Sequence, residues 1–423
     1  MKKRIVVIGG GFAGINLIKN LYALRDVEII LIDKNNYHYF PPLIYQVASS
    51  FIEPSNISYP FRKMLQGKDN VRFYQGEFKQ VDVEQNIVYT SAGNLHYDYL
   101  VFAQGTQTNY FGINSISEKA LPLKNITDAL RVRNSILCKL EQACKTKDAE
   151  DRSKLLTFVI AGGGPTGVEL SGMLSEMNKH IRLKDYPELK AFPMQIFLID
   201  AADSLLGTMS KKSQAEALKA LAKMGVQVKL SVAVKDYHSD VVFLSNDEQI
   251  KAKTLIWVSG VIANTINGLP QTSILKNRRV AVNNYNLVAG TSNVFAIGDI
   301  CCQFTDKKFP QGHPQVAQVA IQQGTLLGKN FKNILKSKPQ ASFSYFNKGQ
   351  MAIINKYKAV AELPIGFFKG FIAWCMWLII HILPIAGFKN KLKLCYNWLG
   401  NFLSNDPTLR LIIEPGQQPE EKN

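Results

Sequence analysis

One glycine loop occurs twice in this chain, each time where a strand should turn into a helix. The first copy is Gly9, Gly11 and Gly14 in IVVIGGGFAGINLI, and the second is Gly162, Gly164 and Gly167 in FVIAGGGPTGVELSG. A single G-x-G-x-x-G is a weak signal in 423 residues, and alone it reads equally as a ligand-free turn. Two copies predict an α/β chain with two Rossmann-like domains that hold two nucleotide-type ligands at once.

The context of each copy supports that reading. Arg4 to Ile8 and Leu155 to Ile160 are short, β-branched runs ahead of the loops, and helical spacing follows both. The first glycine permits a tight turn, and the second lets the backbone approach a pyrophosphate. The third lets helix and strand pack closely, with the helix N-terminus facing the anion. An acid should close the next strand and bind a ribose, ~20 residues on. Asp33 does so in VEIILID, and Asp200 closes QIFLID after a longer interval, with Asn178 to Pro193 read as a helix extension plus loop. A carboxylate at Asp200 favours the 2′-hydroxyl of NAD and repels the 2′-phosphate of NADP. The residues that follow, Ala201, Ala202 and Asp203, bring no arginine to offset that repulsion, so NADH is the expected nucleotide.

Length alone suggests two to three domains. The net charge of +17 is spread along the chain rather than blocked, which argues against nucleic acid and for an anionic lipid surface. The six cysteines (Cys138, Cys144, Cys301, Cys302, Cys375, Cys395) form no C-x-x-C pair and read as reduced thiols of a cytosolic compartment. The histidines show no metal-ligand spacing. MKKRIVVIGGGFAG mimics a signal peptide, but its apolar run dissolves into the glycine loop, so it reads as the first strand and the expected side is cytoplasmic.

The expected organisation has four parts. Residues 1–115 begin an FAD-binding domain, 116–270 form an NADH-binding domain, 271–335 resume the first domain, and 336–423 make a C-terminal membrane-association region. Thr127 to Lys145 reads as a polar helix and Lys145 to Lys154 as a solvated loop. The resumption rests on VFAIGDIC, a strand ending in Gly298-Asp299 with helical spacing after it. Alone that pair is a turn plus a cap. In this order, a carboxylate at a strand end can contact a flavin ribityl chain, and a helix N-terminus can sit under the pyrimidine ring.

These segments together resemble the type II (alternative, non-proton-pumping) NADH:quinone oxidoreductases, flavoproteins with two dinucleotide-binding domains. The resemblance covers nearly the whole chain. It rests on GGGFAG, YHYFPPLIYQVAS (Tyr37 to Ser50), GGGPTGVELSG, NVFAIGD, AQVAIQQG (Ala317 to Gly324), YFNKGQMAIINKYKAVA and the Trp-rich tail. It implies that FAD is held by Gly9, Gly10, Gly11, Phe12, Ala13, Gly14, Asp33, Lys34 and His38. Later contacts would come from Val81, through backbone, and from Ala103, Gly105, Asp299 and Ala320. NADH falls to Gly162, Gly164, Gly167, Asp200 and Gly260. Glu169 matches an acid near nicotinamide and flavin, and its alternative reading is a first-turn acid that favours the helix dipole. Gln318 and Gln322 match the quinone motif A-Q-x-x-x-Q, four apart on one helix face, where a solvated polar face is the plainer reading. Two positions depart from the family: Asn355 where glycine is usual, and Gln104 where an apolar residue is usual. A homodimer is implied by the resemblance alone.

The tail is read from its residues. Phe371 to Ile380 is an unbroken apolar run of ten, ~15 Å as a helix, whereas a bilayer takes ~20 residues. From Gly366 to Gly387 the length is nominal, but Lys369, His381 and Pro384 interrupt it. A second helix, Lys389 to Leu403, puts Leu392, Tyr396, Leu399 and Leu403 on one stripe behind Lys389, Lys391 and Lys393. Such a helix pair suits the interface of an anionic leaflet, with a dimer core and a true span as alternatives. Lys369 is placed at the mouth of a quinone pocket or against lipid phosphate. The expectation is a peripheral protein on the cytoplasmic face of a cell inner membrane. Of three other functions, the first falls and two remain in view. A disulfide reductase lacks its cysteine pair in the first domain, a sulfide:quinone oxidoreductase would draw on Cys144 with Cys301 or Cys302, and a non-catalytic NAD-sensing flavoprotein would not turn over quinone.

Overall fold

The structure, a computed structural model, describes residues 2–404 and 410–412. The chain divides into two compact units. The first comprises Met1–Tyr39, Ser58–Gln107 and Val261–Lys348, and the second Phe40–Ile57, Thr108–Gly260 and Gly349–Asn423.

The first unit is built on a five-stranded parallel sheet in the order Val294–Ala296, Tyr99–Phe102, Lys3–Ile8, Val27–Asp33, Val71–Gln75. Its central strands are continuous apolar runs with Ile5, Val6, Val7, Ile29 and Leu31 fully buried. That is the composition a parallel sheet needs when both faces are covered. One face packs on the helices Phe12–Leu21 and Ala317–Ile334. These two helices approach very closely. A Cβ on Gly324 would lie 2.2 Å from the Ala13 carbonyl oxygen, and one on Gly328 would lie 2.5 Å from the Asn20 Cβ. The resumption of the first domain by Val294–Ala296 is therefore a pairing in its sheet, next to Tyr99–Phe102.

The second unit repeats the plan. Its parallel sheet has five strands in the order Leu121–Pro122, Thr254–Trp257, Thr157–Ala161, Gln195–Ile199, Val226–Lys229. Each unit also carries a three-stranded antiparallel meander, Phe78–His96 in the first and Val234–Lys251 in the second.

Several boundaries differ from the sequence expectation. Residues 40–57 lie in the second unit, and so does the C-terminal part from Gly349. The cause is packing. A Cβ on Gly172 of helix Pro165–Met177 would lie 1.6 Å from the Ile354 carbonyl oxygen, so strand Gln350–Asn355 lies directly on that helix. Lys145 to Lys154, expected as a loop, contains the helix Ala149–Leu155, started by the Asp148 side chain accepting from the Asp151 amide at 2.7 Å. Gly366–Lys369, expected to begin the apolar helix, is the third strand of an antiparallel sheet with Gln350–Asn355 and Lys358–Leu363.

The tail's helices run over Gly370–Ile382 and Phe388–Ser404. The first turns Ala373, Trp374 and Trp377 inward and leaves Phe371, Ile372, Ile379 and Ile380 exposed. The second buries Leu394 and Trp398 and exposes Leu392, Tyr396 and Leu399. The side chain of Leu403, the last member of the expected stripe, lies outside those described. Among the described residues, no helix is long and apolar enough to cross a membrane.

Candidate functional site

At the first loop, Gly9 has φ +103°, and a Cβ there would lie 2.5 Å from the Ala103 carbonyl oxygen. A Cβ on Gly14 would lie 2.0 Å from the Gly9 carbonyl oxygen. Gly11, between them, would meet no atom within 4 Å, so its backbone is open to approach by a phosphate. Asp33 ends its strand with one oxygen accepting from the Gly10 amide at 2.7 Å and the other from the Asn35 amide at 2.8 Å. Burial pushes its carboxyl up, and those two N–H bonds pull the other way.

His38 is buried and engages the Gly10 carbonyl through Nδ1 at 2.9 Å. A carbonyl only accepts, so Nδ1 carries the proton. Burial lowers the imidazole pKa to about 4, which keeps it neutral. Phe12 stands edge-on to the His38 ring at 5.7 Å, and Lys34 is exposed.

The Gly298–Ile300 turn carries Asp299. A Cβ on Gly298 would lie 3.2 Å from the Ala13 Cβ and 3.4 Å from the Ala320 Cβ, so Ala13 and Ala320 are the small residues that let the turn sit there. Gly105, at φ +63°, also has nothing within 4 Å of a Cβ position. The Val81 amide donates to the Asn267 carbonyl at 3.0 Å, so that N–H is not the backbone group an adenine would use. Gln104, where an apolar residue was usual, ties the loop through Nε2 to the Thr265 carbonyl at 3.4 Å.

The second loop has the same construction. Gly162 has φ +119° and would press a Cβ 2.8 Å from the Val258 carbonyl oxygen, and Gly167 would press one 1.8 Å from the Gly162 oxygen. Gly164 meets nothing within 4 Å. Asp200 accepts from the Gly163 amide, and from the Ala202 amide at 2.7 Å. Its acid lies 37 positions beyond the paired glycine, against 23 at the first loop. The excess is taken up by a wide helical turn, Asn178–Arg182, and two short helices to Leu189. Gly260, at φ +81°, follows strand Thr254–Trp257 and accepts from the Asn109 amide at 3.3 Å. Each loop thus fits a dinucleotide. A glycine whose Cβ would fill open space faces outward, and an aspartate already fixed by loop amides sits beside it.

Glu169 is 7% exposed on helix Pro165–Met177, beyond the first turn, which contains no acid. The dipole reading therefore falls. Its Oε1 accepts from the Ile353 amide at 3.4 Å, and burial holds the carboxyl well above the usual carboxylate range. Tyr45, fully buried, is itself pushed up by burial and by the nearby Glu169 charge. It is a neighbour that sequence reasoning did not single out.

Gln318 and Gln322 share a face of helix Ala317–Ile334, but both are tied to the segment that follows the helix. Gln318 Oε1 accepts from the Tyr345 hydroxyl at 3.3 Å and the Lys348 amide at 3.0 Å. Gln322 donates to the Phe346 carbonyl at 2.8 Å and accepts from its amide at 3.0 Å. Gln322 is thereby a strap as much as a ligand candidate. Gln323, one position on and 1% exposed, was missed. Its Oε1 accepts from the Gly298 amide at 2.7 Å and fixes the Asp299 turn. The available signal was its place about 100° round the helix from Gln322, on the side of Val319, Ala320 and Leu327.

Lys369 has a partner on another element. Its ammonium, largely exposed, pairs with Glu216 at 3.0 Å. Asn355 donates to the Met224 sulfur at 3.1 Å.

Two units of this construction, each with a glycine loop closed by an aspartate, define a flavoprotein class with paired dinucleotide domains. A family model described as pyridine nucleotide-disulphide oxidoreductase matches residues 3–324, and one described as NDH2 C-terminal domain matches 347–405. The type II NADH:quinone oxidoreductase Ndh of Mycobacterium tuberculosis is 34% identical over 95% of this chain and 89% of its own. That of Staphylococcus saprophyticus is 27% identical over 85% of this chain and 89% of its own. The chain belongs to the type II NADH:quinone oxidoreductase family. Among solved structures, NDH2 from Plasmodium falciparum in complex with NADH has a TM-score of 0.89 at 22% identity, covering 98% of this chain and 100% of that one. A sulfide:quinone oxidoreductase from Aquifex aeolicus has a TM-score of 0.70 at 21% identity, covering 95% and 92%. At those identities both show the fold alone.

Proposed function

We propose that this chain is a membrane-associated enzyme that oxidises NADH and reduces a quinone, taking NADH, a proton and quinone to NAD⁺ and quinol without pumping protons. The observation that carries the reading is the pair of glycine loops, each with its open central glycine and fixed aspartate, in a chain of this family. FAD supplies the two-electron relay between donor and acceptor. The Gly9–Gly14 loop and Asp33 would hold its pyrophosphate and adenosine ribose, and Asp299 its ribityl chain. The Gly162–Gly167 loop and Asp200 would hold NADH, with Asp200 disfavouring a 2′-phosphate.

Glu169 adds a proton function. Burial favours the protonated form of its carboxyl, which places a proton source where quinone reduction needs one. The Gln318 amide would orient a quinone carbonyl without fixing a charge there. The exposed apolar side chains of the two tail helices, with Lys389, Lys391 and Lys393, would seat the enzyme on an anionic leaflet at the cytoplasmic face of the inner membrane. A homodimer completes the reading.

A sulfide-oxidising role has less behind it. Burial pushes the Cys301 thiol up to about 12, away from the thiolate that sulfur chemistry needs. Anaerobic stopped-flow mixing tests the proposal. NADH should bleach the flavin, and a panel of quinones should restore it. Flavin bleaching by sulfide but not by NADH would overturn the reading, and a sensor would bleach without turning over quinone. Glu169→Gln should slow the quinone half by roughly 10²-fold, with little change in flavin reduction by NADH. Equal slowing of both halves would remove Glu169 from the proton role.

A further inference from the structure

The second unit contains a cavity that neither glycine loop uses. It is partly open, and its apolar wall is made by Met173, Met177, Ile353, Trp374, Trp377 and Phe402. Gln318, Gln322 and Lys369 do not line it. Thioether, aliphatic and aromatic surface of this kind favours hydrocarbon over water, and methionines adapt to an irregular chain. Lys356 and the Glu176–His180 pair, whose nearest atoms are 3.2 Å apart, also line the cavity.

Gln46, Ser49 and Asn401 also line it, and two further polar atoms stand out on the wall. Trp374 and Trp377 each carry a buried indole N–H with no hydrogen-bond partner among the described residues. The residues are 6% and 0% exposed, so bulk water does not reach these donors. They stand three positions apart on helix Gly370–Ile382 and so share a face. A buried donor without an acceptor is a standing cost, and paired orphans on one cavity wall ask for an explanation. Indole nitrogen only donates, so the group that satisfies both must bring acceptors. Carbonyl oxygens do this. The outward side of the same helix exposes Phe371, Ile372, Ile379 and Ile380, an apolar surface on which carbonyl-headed hydrocarbons are at home.

We infer that this cavity is a binding site for one hydrocarbon chain of a membrane lipid, whose carbonyl oxygens accept from the Trp374 and Trp377 indoles. Acyl esters and prenylated quinones share that chemistry. The site stands whether or not the chain reduces quinone at Gln318.

The test uses full-length holoenzyme purified from membranes in detergent. Its extract is analysed by mass spectrometry, phosphate assay and quinone absorbance. Met177→Trp fills the cavity. Trp374→Phe with Trp377→Phe removes both donors and keeps two rings. Bound FAD absorbance and reduction of a water-soluble acceptor by NADH show that each variant is folded. Wild type should carry about one equivalent of lipid, Met177→Trp should lose at least tenfold, and the double phenylalanine variant severalfold. Phosphate in the extract identifies the acyl source and quinone absorbance the prenyl source. If Met177→Trp loses its flavin, the double phenylalanine variant decides alone. Wild-type protein free of stoichiometric lipid, or lipid retained equally by the folded variants, overturns the site.

Discussion

At the first loop the Gly10 carbonyl accepts from a buried side chain, His38, whereas at the second the Gly163 carbonyl accepts from a backbone amide, Leu206, at 2.8 Å. The residues around the two loops differ in the same sense. A Cβ on Gly10 would lie 2.2 Å from the Phe61 ring, while one on Gly163 would meet Leu205 and the Asp200 carboxylate at 2.8 and 2.9 Å. Burial raises the Asp33 carboxyl at the first loop. One backbone plan is thus finished in two ways. The first loop is locked by aromatic and imidazole side chains, which suits a cofactor that stays. The second is closed by its own backbone and its aspartate, which suits a substrate that comes and goes.

The sharpest way to break that comparison is to overfill each loop. Gly14→Ala and Gly167→Ala both drive a methyl against a carbonyl, and overpacking of this kind costs about 1–3 kcal/mol or more. Gly167→Ala should keep its FAD and lose NADH-driven flavin reduction by roughly 10–100-fold. Gly14→Ala should lose the flavin itself. Absorbance at purification and stopped-flow reduction read the two outcomes, and identical behaviour of the variants would erase the distinction.

The imidazole lock makes a pH prediction. His38 has its pKa lowered from 6.5 to about 4, so between those values the unfolded chain binds more protons than the folded one. Stability is present above about pH 6.5 and is lost progressively as pH falls to about 4, by up to ~3 kcal/mol. His38→Asn should flatten that limb in denaturant titrations run across the window. An unchanged slope would mean that His38 does not hold the first loop as described.

The smallest effect concerns selectivity at the second loop. Asp200→Ala with Ala201→Arg should narrow the NADH preference by about tenfold, roughly 1.4 kcal/mol. Steady-state rates with both nucleotides check it, and equal rates in the unmodified enzyme would remove the role given to Asp200.

Much of this was legible in the chain because it is local. A β-branched run, a glycine triplet and a strand-end acid are written within a few dozen residues, and their backbone requirements admit few alternatives. Periodicity also placed Gln318 and Gln322 on one face, and the tail helices near their observed limits. It could not show that Gln322 straps down Phe346, or that Lys369 meets Glu216, since those partners lie on other elements.

What the sequence by itself determined is the paired α/β plan, the two aspartates and the family to which the chain belongs. Tertiary structure decided which polar groups are spent on the fold and which remain for chemistry. It buried Glu169 away from a counter-charge, turned Val81 to Asn267, and set Gln323 under the Asp299 turn. It also left the Trp374 and Trp377 indoles unpartnered in an apolar cavity. Desolvation and hydrogen-bond satisfaction depend on what lies within a few ångströms, and those neighbours come from segments far apart along the chain.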